Sequence, residues 1–185
     1  LCSLFHILIS TAHTFTVYQN SIQITRAFKT DLNYMEILKG VNGLICIGKF
    51  SKIEVNNLIN FTKNIVFLDM ALDDYSASSI SLDFHHAVYT ALNHLYNLGH
   101  RKIGFLGGVE YVGESEIVTN ERKKYFISFC NKHKLEYKDF LIEGSFSIES
   151  GYEMMTTLIE RNTIPTAILA ASDAIAVGAM KALND

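Results

Sequence analysis

The sequence predicts an α/β fold in which helices alternate with the strands of parallel sheets. Two junctions between helix and strand patterns indicate this. In residues 91–108, apolar residues at helical spacing end at Gly99, and an apolar run too short for a helix follows. In residues 167–183, a continuous apolar run predicts a buried strand, and Ser172 or Asp173 caps the next helix. Such alternation is typical of Rossmann-like layers, whose ligands bind at the carboxyl ends of the strands.

The same periodicities predict the elements along the chain in order. Apolar residues at helical spacing favour helices, and short apolar runs favour strands. The pattern therefore indicates one Rossmann-like layer over residues 17–98 and another from His100 onward. The predicted helices cover residues 4–12, 31–39, 52–61, 83–99, 117–134, 148–161 and 174–183, and the predicted strands cover residues 15–18, 43–47, 64–68, 79–82, 102–106, 140–143 and 166–171.

The composition favours a folded protein that does not hold nucleic acid by itself. With 185 residues and a hydrophobic content of 49%, the chain can bury a sizeable core. A net charge of -3 does not suit DNA binding, which needs clustered basic residues. Cys2, Cys46 and Cys130 are widely spaced, so they are expected to be reduced packing residues of a cytoplasmic protein.

The start of the chain lacks the features of a signal peptide. Residues 1–17 are apolar, but they have no positively charged start and they include His6 and His13. Since the chain begins with Leu1, we expect it to be cut from a longer protein. No stretch reaches the ~18 uninterrupted apolar residues of a membrane span, so no membrane association is expected.

Four short segments carry a family resemblance. They are Gly43-Leu44-Ile45-Cys46-Ile47-Gly48-Lys49-Phe50-Ser51, Leu98-Gly99-His100-Arg101-Lys102-Ile103-Gly104-Phe105, Glu121-Arg122, and Ser172-Asp173 before Ala176-Val177-Gly178-Ala179. In this order and spacing they resemble the effector domain of LacI/GalR-family bacterial transcriptional regulators. The first segment also resembles galactose-type and β-galactosidase-operon repressors of that family. The resemblance covers residues 41–185.

The resemblance implies a periplasmic-binding-protein-like fold of type I, in which two Rossmann-like lobes with parallel sheets are hinged around a sugar. It implies an N-terminal lobe over residues 1–99 without its first strand, and a partial C-terminal lobe over residues 100–185. The fold is thus expected to be incomplete at both ends. The family's helix-turn-helix DNA-binding domain is expected to lie outside this chain.

The function implied by the resemblance is that of a cytoplasmic, sugar-responsive repressor of carbohydrate utilisation genes, of which this chain is the effector-sensing part. Galactose or a galactoside is the favoured effector. Operator DNA is then contacted through the headpieces of a homodimer. No cofactor, no metal ion and no enzymatic activity are expected.

Arg122 and Phe146 are the first candidates for effector binding. By the resemblance, Arg122 occupies the position whose guanidinium hydrogen-bonds neighbouring sugar hydroxyls, a task that suits a rigid fork of five donors. The alternative is a solvated charge near a helix start, where a cation is mildly unfavourable. Phe146 stands where relatives carry an aromatic residue that packs on the effector's apolar face, although a core position is the commoner role of a phenylalanine.

Asp83, Ser172 and Asp173 are the other candidates for effector binding. Each lies where a predicted strand passes into a helix, and capping alone would explain Asp or Ser at such a place. The family often has Asn followed by Asp at 172–173, so Ser172 offers a hydroxyl where a carboxamide could sit. Relatives often have Asn after the residue at position 83, where this chain has Phe84, which leaves Asp83 as a hinge or pocket residue.

Two other classes of protein are alternatives. A sugar-binding protein of a transport system has the same two-lobed fold, but the missing signal peptide and the turn at residues 98–101 disfavour it. A nucleotide-dependent enzyme is disfavoured because residues 104–108 do not form a G-x-G-x-x-G loop. No Ser/His/Asp or Cys/His arrangement has the spacing of a catalytic site. His85 and His86 point to different sides of a helix, so they are not expected to share a metal ion.

Overall fold

The structure is a computed structural model that describes residues 43–72, 75–112, 116–118, 120–162 and 164–185. The helices predicted at residues 4–12 and 31–39, the strand predicted at residues 15–18, and Cys2 lie outside the described residues. Most of the predicted elements in the described ranges are present, with bounds that differ by a few residues from the prediction.

The first sheet consists of three short parallel strands in the order β1-β2-β3, namely β1 (Leu44–Ile47), β2 (Ile65–Leu68) and β3 (Ser78–Ile80). Helix α1 (Lys52–Phe61) connects β1 to β2. It begins at a capping box, in which the Ser51 hydroxyl accepts from the Glu54 backbone N–H and the Glu54 carboxylate accepts from the Ser51 backbone N–H at 2.7 Å. This box satisfies two amide groups that a helix start leaves without partners.

A small aromatic and aliphatic core covers this sheet. Phe67 on β2 is fully buried and meets the ring of Phe50 edge-on, with the ring centroids 5.7 Å apart. Val55 and Leu58 are buried on α1, as the helical spacing of apolar residues in that segment predicts. The apolar face of α1 is therefore buried, as in an amphipathic helix.

The second sheet is also parallel, with the order β7-β4-β8, and its strands are β4 (Ile103–Gly108), β7 (Leu141–Gly144) and β8 (Ala167–Ala170). Every residue of the central strand β4 is buried. The predicted strand is present as β8, but its four residues are only partly buried, and Ala171 after them is buried. The reason is that β8 pairs with β4 on one side and lies at an edge of the described sheet.

Four helices accompany the second sheet. Each begins after a polar residue whose side chain accepts a hydrogen bond from the first turn, which is why each starts where it does. They are α2 (Phe84–Asn97) after Asp83, α3 (Glu121–His133) after Asn120, α4 (Ile148–Glu160) after Ser147, and α5 (Asp173–Asn184) after Ser172.

Helix α2 packs with the second sheet, although it precedes Gly99 in the sequence. It contacts α3 and β8, and its buried residues Val88 and Leu92 belong to the hydrophobic core around β4. The chain therefore begins to pack against the second sheet at Phe84. The lobe boundary at residue 99 that the resemblance implies stays a prediction.

A two-stranded hairpin precedes α3 where the sequence predicts the start of a helix. Strand β5 (Glu110–Val112) pairs antiparallel with β6 (Glu116–Val118). The prediction that the helix begins at residue 117 is therefore wrong, and α3 begins at Glu121. Asn120 decides this start, because its side-chain oxygen accepts from the backbone N–H groups of Arg122 and Lys123.

Helices α4 and α5 approach each other closely at Gly178. A Cβ atom at this position would lie 1.9 Å from the carbonyl oxygen of Ile148, a distance that no side chain tolerates. Glycine therefore allows the backbones of the two helices to come into contact and to bury Met155, Leu158 and Ile175 between them and the sheet.

The described helices are short, and the longest of those around the second sheet, α2, has 14 residues. In the described ranges, none has the length and apolar character that crossing a bilayer requires.

Candidate functional site

A cleft of about 170 Å³ is bordered by the carboxyl end of β8, by Phe105 in the middle of β4, and by residues of α2 and α3. The carboxyl ends of the strands are the usual ligand-binding edge of a parallel α/β sheet. The described lining is apolar except for one guanidinium group. The lining residues are Phe84, Ala87, Val88, Phe105, Arg122, Leu169, Ala170 and Ala171.

Arg122 reaches the cleft because Asn120 ties the start of α3 to the end of β4. The Asn120 side-chain oxygen accepts from the Arg122 backbone N–H at 3.1 Å, and its amide nitrogen donates to the carbonyl oxygen of Gly108 at 2.9 Å. The Asn120 side chain thus provides hydrogen-bond partners both for a backbone N–H at the start of α3 and for the last carbonyl oxygen of β4. The position of Arg122 is thereby set relative to the sheet edge.

The guanidinium group of Arg122 lies among aromatic rings. Its carbon Cζ is 4.1 Å from the centroid of the Phe84 ring and 6.0 Å from that of Phe146. The side chain is half-buried. Within the part of the chain that the structure describes, the guanidinium group forms no ion pair and donates to no protein acceptor. A half-buried cation with free donors at the edge of a cleft is well suited to bind a polar ligand.

Phe146 lies in the turn between β7 and α4 and is not among the residues that line the cleft. A Cβ atom at Gly108 would lie 2.3 Å from Cδ2 of the Phe146 ring, so glycine at the end of β4 is what allows the ring to lie over the strand. The turn is held by Ser150, whose hydroxyl accepts from the Ser145 backbone N–H at 2.9 Å. The structure therefore brings the Phe146 ring within 6.0 Å of the Arg122 guanidinium carbon, and effector contact by these two residues stays a prediction.

Asp83, Ser172 and Asp173 lie close to the lining of the cleft but are not part of it. Asp83 is exposed and accepts from the His86 backbone N–H at 2.8 Å, next to the lining residue Phe84. Ser172 follows the lining residue Ala171 and caps α5 by accepting from the Ile175 backbone N–H at 3.4 Å. Asp173 is the first residue of α5 and is exposed. The structure gives Asp83 and Ser172 a capping role, and effector contact by these three residues stays a prediction.

An ion pair supports the same edge of the sheet from the side of β7. Lys123 on α3 donates to the carboxylate of Glu143, and both side chains are partly buried. The ammonium group of Lys123 is therefore engaged by Glu143, whereas the neighbouring Arg122 guanidinium forms no ion pair among the described residues. Hydrogen bonds between charged groups in such a setting hold α3 against β7.

Two residues that shape the site are not among the candidates predicted from the sequence. Asn120 has a local signal, because asparagine before a helix start is a common cap. Phe84 has none, because nothing in the sequence shows that its ring meets the guanidinium group of a residue 38 positions later. Both roles depend on tertiary contacts.

A second polar turn lies at the carboxyl ends of β1 and β2. The Lys49 ammonium is 3.3 Å from a carboxylate oxygen of Asp69, and it also donates to the Asp69 carbonyl oxygen. Asp69 adopts a left-handed backbone conformation with φ of 67°, which aspartate tolerates better than most residues. The pair therefore closes the turns that follow the first two strands.

The described residues include no group of three or more His, Cys, Asp or Glu side chains that could hold a metal ion. The two described cysteines are free and buried. Burial raises the pKa of the Cys46 thiol and that of the Cys130 thiol to about 11. Both are therefore protonated packing groups at neutral pH.

Comparison with known proteins identifies the family. The profile of the periplasmic binding protein-like domain matches residues 92–185. The HTH-type transcriptional regulator GalR of Streptococcus thermophilus is 33% identical over 147 residues, which are 78% of this chain and 44% of that protein. The chain thus spans less than half of this relative.

Solved structures show the same fold. A sugar-binding transcriptional regulator of the LacI family from Escherichia coli, complexed with phosphate, matches with a TM-score of 0.70 and 25% identity over 86% of this chain and 57% of that chain. The lac repressor dimer bound to operator and the anti-inducer ONPF matches with the same score and identity, over 86% of this chain and 54% of that chain. The fold is thus periplasmic-binding-protein-like, and the chain belongs to the periplasmic binding protein-like domain family as a LacI/GalR-type member.

Proposed function

We propose that this chain is the effector-sensing part of a sugar-responsive transcriptional regulator that represses carbohydrate utilisation genes. The observation that carries the proposal is the free guanidinium group of Arg122, which lies over an aromatic ring at the edge of an otherwise apolar cleft. This arrangement provides a cation and aromatic rings, which are groups that bind a polar ligand. It therefore supports a binding function.

The chemistry of the site fits a carbohydrate. A planar guanidinium group presents several N–H donors in one plane, and two of them can reach neighbouring hydroxyl groups. Aromatic rings such as Phe146 complement the C–H faces of a sugar. We expect Asp83, Ser172 and Asp173 to add polar contacts once a sugar is present. We expect galactose or a galactoside as the effector, in agreement with the similarity to a GalR regulator.

Regulation requires that the sugar prefers one of two conformations. We propose that the two conformations differ in the arrangement of two lobes, over residues 1–99 and 100–185. A sugar that binds one arrangement of the lobes more tightly shifts the population toward it, and only this differential affinity changes DNA binding. The similar lac repressor is a dimer on operator DNA, and we propose a cytoplasmic homodimer here too.

Operator binding is assigned to a helix-turn-helix domain of a longer protein. The net charge of this chain is -3, whereas sequence-independent DNA affinity requires a concentrated basic surface. The coding sequence upstream of Leu1 tests this assignment. A helix-turn-helix segment there would agree with a repressor, and a secretion signal would instead indicate the sugar-binding protein of a transport system.

The binding experiment is a calorimetric titration of the purified chain with a panel of sugars. The panel contains galactose, lactose and melibiose, together with glucose, trehalose and ribose as sugars without a galactosyl group. We expect saturable binding of at least one galactosyl sugar and weaker binding of the others. Binding of glucose or ribose alone would contradict the galactose assignment, and the absence of binding across the panel would contradict the proposed function.

A further inference from the structure

Phe84 has three features that no role as a simple core residue explains together. Its side chain is 8% exposed, it lines the cleft, and its ring centroid is 4.1 Å from Cζ of Arg122. Phe84 also follows Asp83 directly. The Asp83 side chain caps α2, which fixes the first residue of the helix and so the position of the Phe84 ring.

A guanidinium group over an aromatic face keeps all its in-plane donors available. The attraction is between the positive charge and the negative face of the ring, whereas the N–H bonds point outward in the guanidinium plane. An ion pair would have held Arg122 as firmly, but it would have used some of these donors. Among the described residues, Arg122 has no such partner, so the ring contact is what restrains the cation before a ligand arrives.

We propose that Phe84 is a positioning residue, which orders the Arg122 guanidinium in the unliganded protein and so increases affinity for the ligand. The identity of the ligand rests on the proposed function, whereas the contact between Phe84 and Arg122 does not. An ordered side chain loses less conformational entropy on binding than a free one. The effect of Phe84 on ligand affinity is therefore exerted through Arg122 and not through the sugar.

The first experiment observes the contact without any ligand. The Arg122 side-chain Nε–H signal is assigned in a nitrogen-proton NMR spectrum as the signal that disappears in Arg122→Lys. We expect this signal to be displaced upfield by the Phe84 ring. The displacement should be lost in Phe84→Leu and retained in Phe84→Tyr, which keeps the ring. An unchanged Arg122 signal in Phe84→Leu would overturn the proposal.

The second experiment measures affinity for galactose, or for whichever sugar of the panel binds, by calorimetry. From the usual strength of a contact between a cation and an aromatic ring, we expect Phe84→Leu to lower sugar affinity by about two- to thirtyfold. We expect Phe84→Tyr to keep most of the wild-type affinity, because it keeps the ring. In the Arg122→Ala background, Phe84→Leu should have no further effect, because the group on which it acts is gone. An equal loss in both backgrounds would mean that Phe84 contacts the sugar or shapes the cleft directly.

Phe129→Leu is the matched control. Phe129 is fully buried on α3, the helix that carries Arg122, and it meets Tyr89, Tyr96 and His133 but not the guanidinium group. Its substitution should lower thermal stability and leave both the Arg122 signal and the sugar affinity of the folded protein unchanged. If no sugar of the panel binds, the proposed function fails, and the NMR comparison still decides the role of Phe84.

Discussion

The guanidinium carbon of Arg122 lies 4.1 Å from the centroid of the Phe84 ring, and this contact joins the first turns of α2 and α3 at one edge of the second sheet. Each partner is placed by its own helix cap, Asp83 for Phe84 and Asn120 for Arg122. The geometry of the site therefore depends on two local signals that are far apart in sequence.

Replacing Arg122 should weaken sugar binding and leave folding nearly unchanged. Arg122→Ala removes a charged donor whose hydrogen bonds to sugar hydroxyls contribute about 1.5–3 kcal/mol, so affinity should fall about ten- to a hundredfold. Arg122→Lys should restore only part of it, because one ammonium group cannot span two hydroxyls as a planar fork does. Calorimetric titration with galactose measures both variants.

The control for this change is Lys124→Ala, which removes an exposed cation from the same turn of α3. We expect sugar affinity in this variant to match that of the wild type. Equal affinity in Arg122→Ala and the wild type would show that Arg122 is a solvated surface charge, and the role implied by the family would then be wrong for this chain.

Asn120 should contribute to both stability and binding. Asn120→Ala removes the cap of α3 and the donor to the Gly108 carbonyl oxygen. The loss of the cap should lower the free energy of unfolding by about 0.5–2 kcal/mol. Sugar binding should also weaken, because Arg122 is then no longer held in position. Asn120→Asp keeps the acceptor for the helix but loses the donor, so it separates the two contributions. Urea unfolding and sugar titration are the measurements, and a variant with wild-type values in both would refute this role.

A side chain at position 178 should disrupt the packing of α4 on α5. The Cβ atom of Gly178→Ala would overlap the carbonyl oxygen of Ile148, and forced overpacking of a helix contact costs about 1–3 kcal/mol or more. Thermal unfolding should show a lower Tm, or no cooperative transition. Val177→Ala on the exposed side of α5 is the control and should change Tm little. A Tm for Gly178→Ala equal to that of the control would contradict the close approach of the two helices.

The buried cysteines should make the fold sensitive to alkali and their thiols inert near neutral pH. Burial raises the pKa of both thiols from 9.0 to about 11, so the folded protein holds the protonated form in a range where the unfolded chain ionises. This stabilisation is complete below pH 9 and is lost as the pH rises toward 11.

Peptide mass spectrometry after iodoacetamide treatment at pH 8 checks the thiols directly. Cys46 and Cys130 should be alkylated only after denaturation, and the alkaline loss of stability should shrink in the double variant Cys46→Ala/Cys130→Ala. Rapid alkylation of either thiol in the native protein would show that it is not buried as described.

The order of helices and strands in the described ranges follows from local sequence. Helix α1 spans residues 52–61 as predicted, and α5 and α4 differ from prediction by one residue at most at each end. The physical reason is that caps and apolar periodicity act over a few neighbouring residues, which a sequence displays directly. The family resemblance rests on the same kind of local information and is confirmed.

Tertiary structure alone decided the features that depend on contacts between distant residues. The sequence predicts that the helix begins at residue 117, but residues 116–118 form strand β6, which pairs with β5. The sequence does not predict this pairing because a helical pattern of apolar residues carries no information on strand partners. β8 proved half-buried because its position in the sheet order, and not its apolar composition, sets its exposure. The meeting of Phe84, Arg122 and Phe146 could not be read from the sequence, since a ring and a cation attract only where the fold brings them together.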